Sequence, residues 1–274
     1  MNTILVPTDY SEAAGNALHY AGELAMLTNA TILLFHAYPL PMPAGDMPIT
    51  MVSPAELETE NKIRIRKSGK EIIERTAGKI NVEYRVRPGN ITEAITSAAK
   101  LKKADLIVMG IKGESKLSRV LIGSNTVSVM NRTKIPVLAI PDGCKYKKAG
   151  KMVLAFDYND TIPKDLLATL KGFIHLFKSE LLVLNIVPPE DVPLFDNAIA
   201  GLMLENSLKD IKHTLFFPEG KDVIKEINSF VELHHADWLV MLPHKHKFLS
   251  TLFHPSNTRQ MAFHTHVPLL SLYD

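Results

Sequence analysis

Asp105-Leu106-Ile107-Val108-Met109-Gly110-Ile111-Lys112-Gly113 begins as an apolar strand and ends as a glycine loop. After a gap of nine residues come Gly123-Ser124-Asn125, where a helix can begin. Glycine carries no Cβ, so backbone at these positions can approach a bulky anion. A helix start adds unpaired N–H groups and the positive end of a dipole. The run therefore reads as a phosphate cradle. It is not a P-loop, because no Gly-Lys-Ser or Gly-Lys-Thr stands at the required place. Lys112 and Lys116 are nearby cations and read as solvated surface lysines.

The same stretch recurs. Asp237-Trp238-Leu239-Val240-Met241 repeats Asp105 to Met109, an offset of 237 − 105 = 132. That offset also maps Ser124-Asn125-Thr126 onto Ser256-Asn257-Thr258, and Ile135-Pro136-Val137-Leu138 onto Val267-Pro268-Leu269-Leu270. Near the start, Ile4 to Asp9 matches Met152 to Asp157 at an offset of 148. Self-similarity on this scale argues for tandem domains. We place them at residues 1–142 and 150–274, joined by a polar stretch that holds Gly143, Lys145, Lys147, Lys148 and Gly150.

Each copy alternates strand and helix patterns. In the first, apolar strands are expected at Thr3–Val6, Thr31–Ala37, Val82–Val86, Asp105–Met109 and Pro136–Ile140. Ser11 is placed to cap a first helix. Ser53-Pro54-Ala55-Glu56 reads as a capping box with proline at the first helical position, opening a helix to Ala77. Helices are also expected at Thr92–Leu101 and Ser124–Arg132. The second copy offers strands at Val153–Phe156, Leu181–Val187, Leu215–Phe217, Trp238–Met241 and Pro268–Leu272. Continuous Val, Ile and Leu strands between helices mean α/β architecture: two tandem doubly wound parallel five-stranded sheet domains. The final strands of the two copies are expected to pair, which would protect two sheet edges and make an intrachain pseudo-dimer.

Size and composition bound the function. The 274 residues, 46% of them apolar, suffice for two cored domains. The net charge of +2 gives no case for nucleic acid or an anionic membrane surface. Apolar runs are too short to span a bilayer, and the chain opens directly on a strand with no basic leader. Cys144 is the single cysteine and reads as a bland linker thiol; a reducing cytoplasm fits.

In a doubly wound sheet, ligands sit beyond the carboxyl ends of the strands where strand order reverses. That brings Asp9, after strand one, beside Gly110, after strand four. Gly110, Gly113, Gly123 and Ser124 would take phosphates, and Asn125 would add a donor. Asp9 would face the base or ribose, or hold a divalent cation such as Mg2+ through water. His36 and Ala37 would wall the base.

These residues carry a resemblance. The opening Ile4-Leu5-Val6-Pro7-Thr8-Asp9, the Gly-x2-Gly-x9-Gly-Ser run and the Ile135-Pro136-Val137-Leu138 ending are similar to those of the universal stress protein family, in its ATP-binding subgroup. The resemblance is strong over 1–141 and weak over 151–274. It implies an adenine nucleotide α-hydrolase-like fold, ATP or AMP as ligand, and dimers paired through the last strand. Carried onto this chain, the family's nucleotide contacts fall on Asp9, Ala37, Met109, Gly110, Gly113, Gly123, Ser124 and Asn125. Asn125 departs from the family, which often has an apolar residue there.

The second copy lacks the loop chemistry: Leu242, Lys245 and Pro255 stand where Gly110, Gly113 and Gly123 stand in the first. It is expected not to bind ATP in the family manner, although Asp157 and Ser256 survive. His234, His235, His244, His246, His254, His264 and His266 crowd this half but show no metal-ligand spacing, so a scattered surface set is expected. Met42, Met47 and Met51 lie in a loop that reads as packing or disorder. No nucleophile–base constellation is visible; Ser11, Ser115 and Ser118 have no encoded partner. The resulting expectation is a nucleotide-binding regulatory protein of the stress response, with unknown protein partners. The alternatives are a slow ATPase or phosphotransferase, and an interaction scaffold with vestigial sites.

Overall fold

The computed structural model describes residues 1–39, 53–111, 124–156, 162–187, 195–242 and 265–273. The front half runs β1 (Thr3–Pro7), α1 (Glu12–Thr28), β2 (Thr31–Tyr38), α2 (Pro54–Arg75), β3 (Asn81–Pro88), α3 (Ile91–Leu101), β4 (Leu106–Gly110), α4 (Ser124–Met130) and β5 (Val137–Ile140). The rear half runs β6 (Lys151–Ala155), α5 (Lys164–Phe177), β7 (Glu180–Leu184), α6 (Phe195–Leu208), β8 (His213–Phe216), α7 (Val223–Leu233), β9 (Trp238–Met241) and β10 (Leu269–Ser271). The strands form one ten-stranded sheet in the order β3-β2-β1-β4-β5-β10-β9-β6-β7-β8. Every pairing is parallel except β5 with β10, which is antiparallel.

Local chemistry sets the helix starts. Ser11 accepts the Ala14 N–H, and the capping box at Ser53 is complete in both directions, with Pro54 at the first turn. The helix that opens there ends at Arg75, two residues short of Ala77, because Ala77 adopts a left-handed φ of 51°.

Alternation along the strands divides the apolar side chains into two layers. Ile4, Val6, Leu106, Val108, Met152, Leu154, Trp238 and Val240 face α1, α2 and α5. Leu5, Ile107, Met109, Val153, Leu239 and Met241 face α3, α4 and α7. Both layers run unbroken from one half to the other. At the join, Leu138 of β5 lies opposite Leu270 of β10, its own counterpart in the repeat. Each half thereby covers the other's edge strand.

The repeat also explains a carboxylate. Asp105 accepts the Asn2 and Thr3 N–H groups at 2.6 and 3.0 Å. Asp237 accepts those of Gly150 and Lys151 at 2.8 and 2.9 Å, and Lys147 approaches it at 2.6 Å. In both halves this aspartate ties the start of the first strand to the start of the fourth. No described helix is long and apolar enough to cross a membrane.

Candidate functional site

Strand order reverses between β1 and β4, and a cavity of about 220 Å³ opens at their carboxyl ends. Thr8, Asp9, Ser11, Ala13 and Ala14 line it from the turn into α1 and the first turn of that helix. Ala37 comes from β2, Ile91 and Ile95 from α3, Met109 and Gly110 from β4, and Asn125 and Thr126 from α4. Of the expected site residues, Asp9, Ala37, Met109, Gly110 and Asn125 thus meet in one place. Ser124 is the first residue of α4, one position ahead of Asn125. Gly113 and Gly123 lie outside the described residues, as do Lys112, Lys116, Ser115, Ser118 and the loop with Met42, Met47 and Met51.

The turn that presents Asp9 is tied from several sides. Asp9 Oδ1 accepts the Ser11 N–H at 3.0 Å, and Tyr10 N–H donates to Thr8 Oγ1 at 3.0 Å. Tyr10 itself sits in the left-handed region at φ 67°, a conformation that costs a side-chain-bearing residue about 1–2 kcal/mol. Its ring compensates. It packs on His36 with centroids 4.5 Å apart, lies under the Arg64 guanidinium at 4.3 Å, and its hydroxyl donates to the Asn61 carbonyl. Nothing in the sequence pattern marked Tyr10 as the clamp of this turn. Its positive φ is a tertiary feature, held by His36 on β2 and by Asn61 and Arg64 on α2, all distant in sequence.

His36 does not wall the cavity. Neighbouring strand residues face opposite sides of the sheet, and only Ala37 points to the crevice. His36 is buried on the α2 side, where its Nδ1–H donates to the Thr8 carbonyl at 2.7 Å. It supports the turn from behind.

Burial pushes the Asp9 carboxyl up, but hydrogen bonds from the Ser11 side chain and backbone, with the His36 charge, outweigh it and leave the pKa below its ordinary 3.8. The sign follows: the stabilisation is full above 3.8 and is lost as the pH falls through the lower folded-state value. An Asp9→Asn variant should therefore show a flatter fall in urea stability than the parent between about pH 5 and pH 3. Parallel slopes would refute the assignment.

Gly110 has a different reason to be glycine than the cradle reading gave it. A Cβ there would stand 2.6 Å from the Ala13 carbonyl carbon and 3.1 Å from the Ala14 nitrogen, and closer still to the Ala13 oxygen. The missing side chain makes room for the first turn of α1. Thr126 then donates its hydroxyl to the Gly110 carbonyl at 3.2 Å, fixing α4 to the end of β4.

In the rear half Leu242 occupies the corresponding position, with its side chain buried in the core. Correspondingly, α5 starts nine positions after β6 ends, at Lys164, whereas α1 starts five after β1, at Glu12. Asp157, Lys245, Pro255 and Ser256 lie outside the described residues, as do His244, His246, His254 and His264. His234 packs against Phe230 with ring centroids 4.0 Å apart and planes tilted by 30°, and His266 lies 3.6 Å from Glu232. Cys144 is half-buried in the linker, and burial raises its thiol pKa, which makes it a poor nucleophile.

Comparison with known proteins places this geometry in context. A model of the universal stress protein family matches residues 1–141. A universal stress protein of Thermus aquaticus is 31% identical over 139 residues, covering 50% of this chain and 97% of its own length. Another, of Methanocaldococcus jannaschii, is 30% identical over 141 residues, which make up 50% of this chain and 80% of the relative. The crystal structure of a universal stress protein from Archaeoglobus fulgidus superposes over 99% of this chain and 98% of its own, with a TM-score of 0.75. At 19% identity that likeness is one of fold, and it extends across both halves.

Proposed function

The chain belongs to the universal stress protein family, and from that premise we propose that its front half binds an adenine nucleotide, ATP or AMP, at the crevice between β1 and β4. The convergence of Asp9, Ala37, Met109, Gly110 and Asn125 on one cavity carries the reading. Ala37, Ile91, Ile95 and Met109 offer apolar surface to the faces of a base. Asp9 and Asn125 offer an acceptor and a donor to a ribose. At about 220 Å³ the described walls fall below the roughly 300–1,000 Å³ of whole small-molecule sites. They suit a nucleoside, with the phosphates assigned to the N–H groups of Gly113 and Gly123 and the start of α4.

Asp9 is the one carboxylate among the described lining residues, which fits a cation held through water rather than by a full set of protein ligands. When bound, Mg2+ would neutralise phosphate charge. The lowered pKa makes Asp9 a weak base, so we read the site as one that holds nucleotide and does not turn it over quickly. Occupancy would then be a regulatory signal in a stress response.

Calorimetric titration of the full chain with ATP and with AMP tests this. One nucleotide per chain is expected, taken by the front half, because Leu242 fills the rear position. Gly113→Val and Gly123→Val should each weaken binding by about 100-fold or more through steric clash with phosphate, with the melting temperature unchanged. No binding by the parent chain, or two nucleotides per chain, would overturn the reading.

A further inference from the structure

A second concavity lies between β3 and α3. It is a trough of about 820 Å³ with Phe35 in its floor. One wall carries Arg85 and Arg87 of β3, and the other is lowered by the small side chain of Ala98 in α3. Lys102 at one end is paired with Glu83 at 2.9 Å. Arg85, Arg87 and nearby Lys100 have no carboxylate within ion-pair distance among the described residues. A chain of net charge +2 thus concentrates three uncompensated cations around one apolar-floored groove.

The rear half contains the same place, filled. The 132-residue offset that relates α3 to α7 sets Phe230 at the position of Ala98 and His234 at that of Lys102. Strand register sets Phe216 at the position of Arg85: Arg85 pairs with Phe35 on β2, and Phe216 pairs with Leu184 on β7. There the two phenylalanine rings pack with centroids 4.9 Å apart, and the His234 ring packs at a tilt on Phe230 with centroids 4.0 Å apart. One half closes the trough with its own aromatic ring. The other leaves it open and surrounds it with positive charge.

The geometry points to an acidic partner segment as the occupant, an extended peptide whose single aromatic side chain lies on Ala98 where the rear half places Phe230. Its carboxylates meet Arg85, Arg87 and Lys100. β3 is the terminal strand of the sheet, with eight residues of regular backbone along which such a segment can lie. Positive charge along an exposed edge also discourages pairing with a second copy of this chain.

Fluorescence anisotropy with a labelled Glu-Asp-Glu-Phe-Glu-Asp-Glu peptide tests the assignment on the full chain. The peptide should bind, and a version with alanine in place of phenylalanine should bind about tenfold more weakly or worse. Ala98→Phe copies the rear half and should weaken binding of the phenylalanine peptide by about tenfold or more while the melting temperature holds or rises. Arg85→Glu with Arg87→Glu, both on an exposed edge, should abolish it without unfolding. Equal affinity for the two peptides, or unchanged affinity in either variant, would overturn the proposal. Tighter binding of an oligothymidylate of equal charge would also overturn it, making the trough a nucleic-acid surface.

Discussion

Replacing Trp238 with alanine is expected to lower the unfolding free energy by about 4–5 kcal/mol, the cost of emptying a large aromatic site plus that of a broken buried hydrogen bond. The side chain is fully buried in β9, against Phe177 with centroids 5.0 Å apart and Phe173 at 6.2 Å. Its indole N–H donates to the Tyr20 hydroxyl at 2.8 Å. Tyr20 belongs to α1, so the bond joins the two halves. Burial above all pushes the Tyr20 pKa far up, so the phenol stays neutral and the bond does not titrate in any ordinary buffer. A loss of this size is a large share of the roughly 5–15 kcal/mol that folded domains possess. Equilibrium urea unfolding followed by far-ultraviolet circular dichroism measures it. Trp238→Leu copies Leu106 at the matching position of β4 and should recover much of the loss by refilling volume. The remaining deficit, from the hydrogen bond and the ring contacts, should exceed that of Tyr20→Phe, which removes the hydrogen bond alone. A Trp238→Ala cost below about 1 kcal/mol would show that the halves are not held together here.

Much of this architecture was legible because it is written locally. The Asp105–Met109 and Asp237–Met241 repeat fixed β4 and β9 and, with them, a tandem α/β chain whose last strands pair. The capping box at Ser53 could be read residue by residue, since every partner lies within four positions. What stayed hidden depends on long-range contact. The repeat displayed Asp105 and Asp237, but not their task, because the N–H groups they accept come from residues 86 to 103 positions away. His36 and Ala37 looked equivalent as neighbours; the pleat separates them to opposite faces. The trough beside β3 needed two pieces of information. The 132-residue offset alone pairs Ala98 with Phe230, but matching Arg85 to Phe216 requires the strand register.

The glycine at position 110 separates two kinds of steric argument, and its substitution should separate them by experiment. Gly110→Ala is expected to cost about 3 kcal/mol, at the upper end for overpacking, because the obstruction is backbone and not a side chain that can rotate away. The added methyl meets the Ala13 carbonyl, so α1 must withdraw from β4. Withdrawal would carry Ser11, Ala13 and Ala14 outward and open the wall of the crevice. Stability and nucleotide affinity should therefore fall together in Gly110→Ala, measured by urea unfolding and calorimetry on the same preparation. In Gly113→Val and Gly123→Val affinity should fall alone. If Gly110→Ala keeps its stability to within about 1 kcal/mol and loses only nucleotide, the close approach of α1 is not why residue 110 is glycine, and the phosphate-cradle reading regains that position. The rear half shows the alternative solution to the same packing problem. Leu242 keeps its side chain, and α5 begins four residues later relative to its strand than α1 does. A tight first turn and a glycine-ended β4 are thus two parts of one device. They bring the start of α1 against the strand that ends at the crevice, and with it the wall that a base would touch.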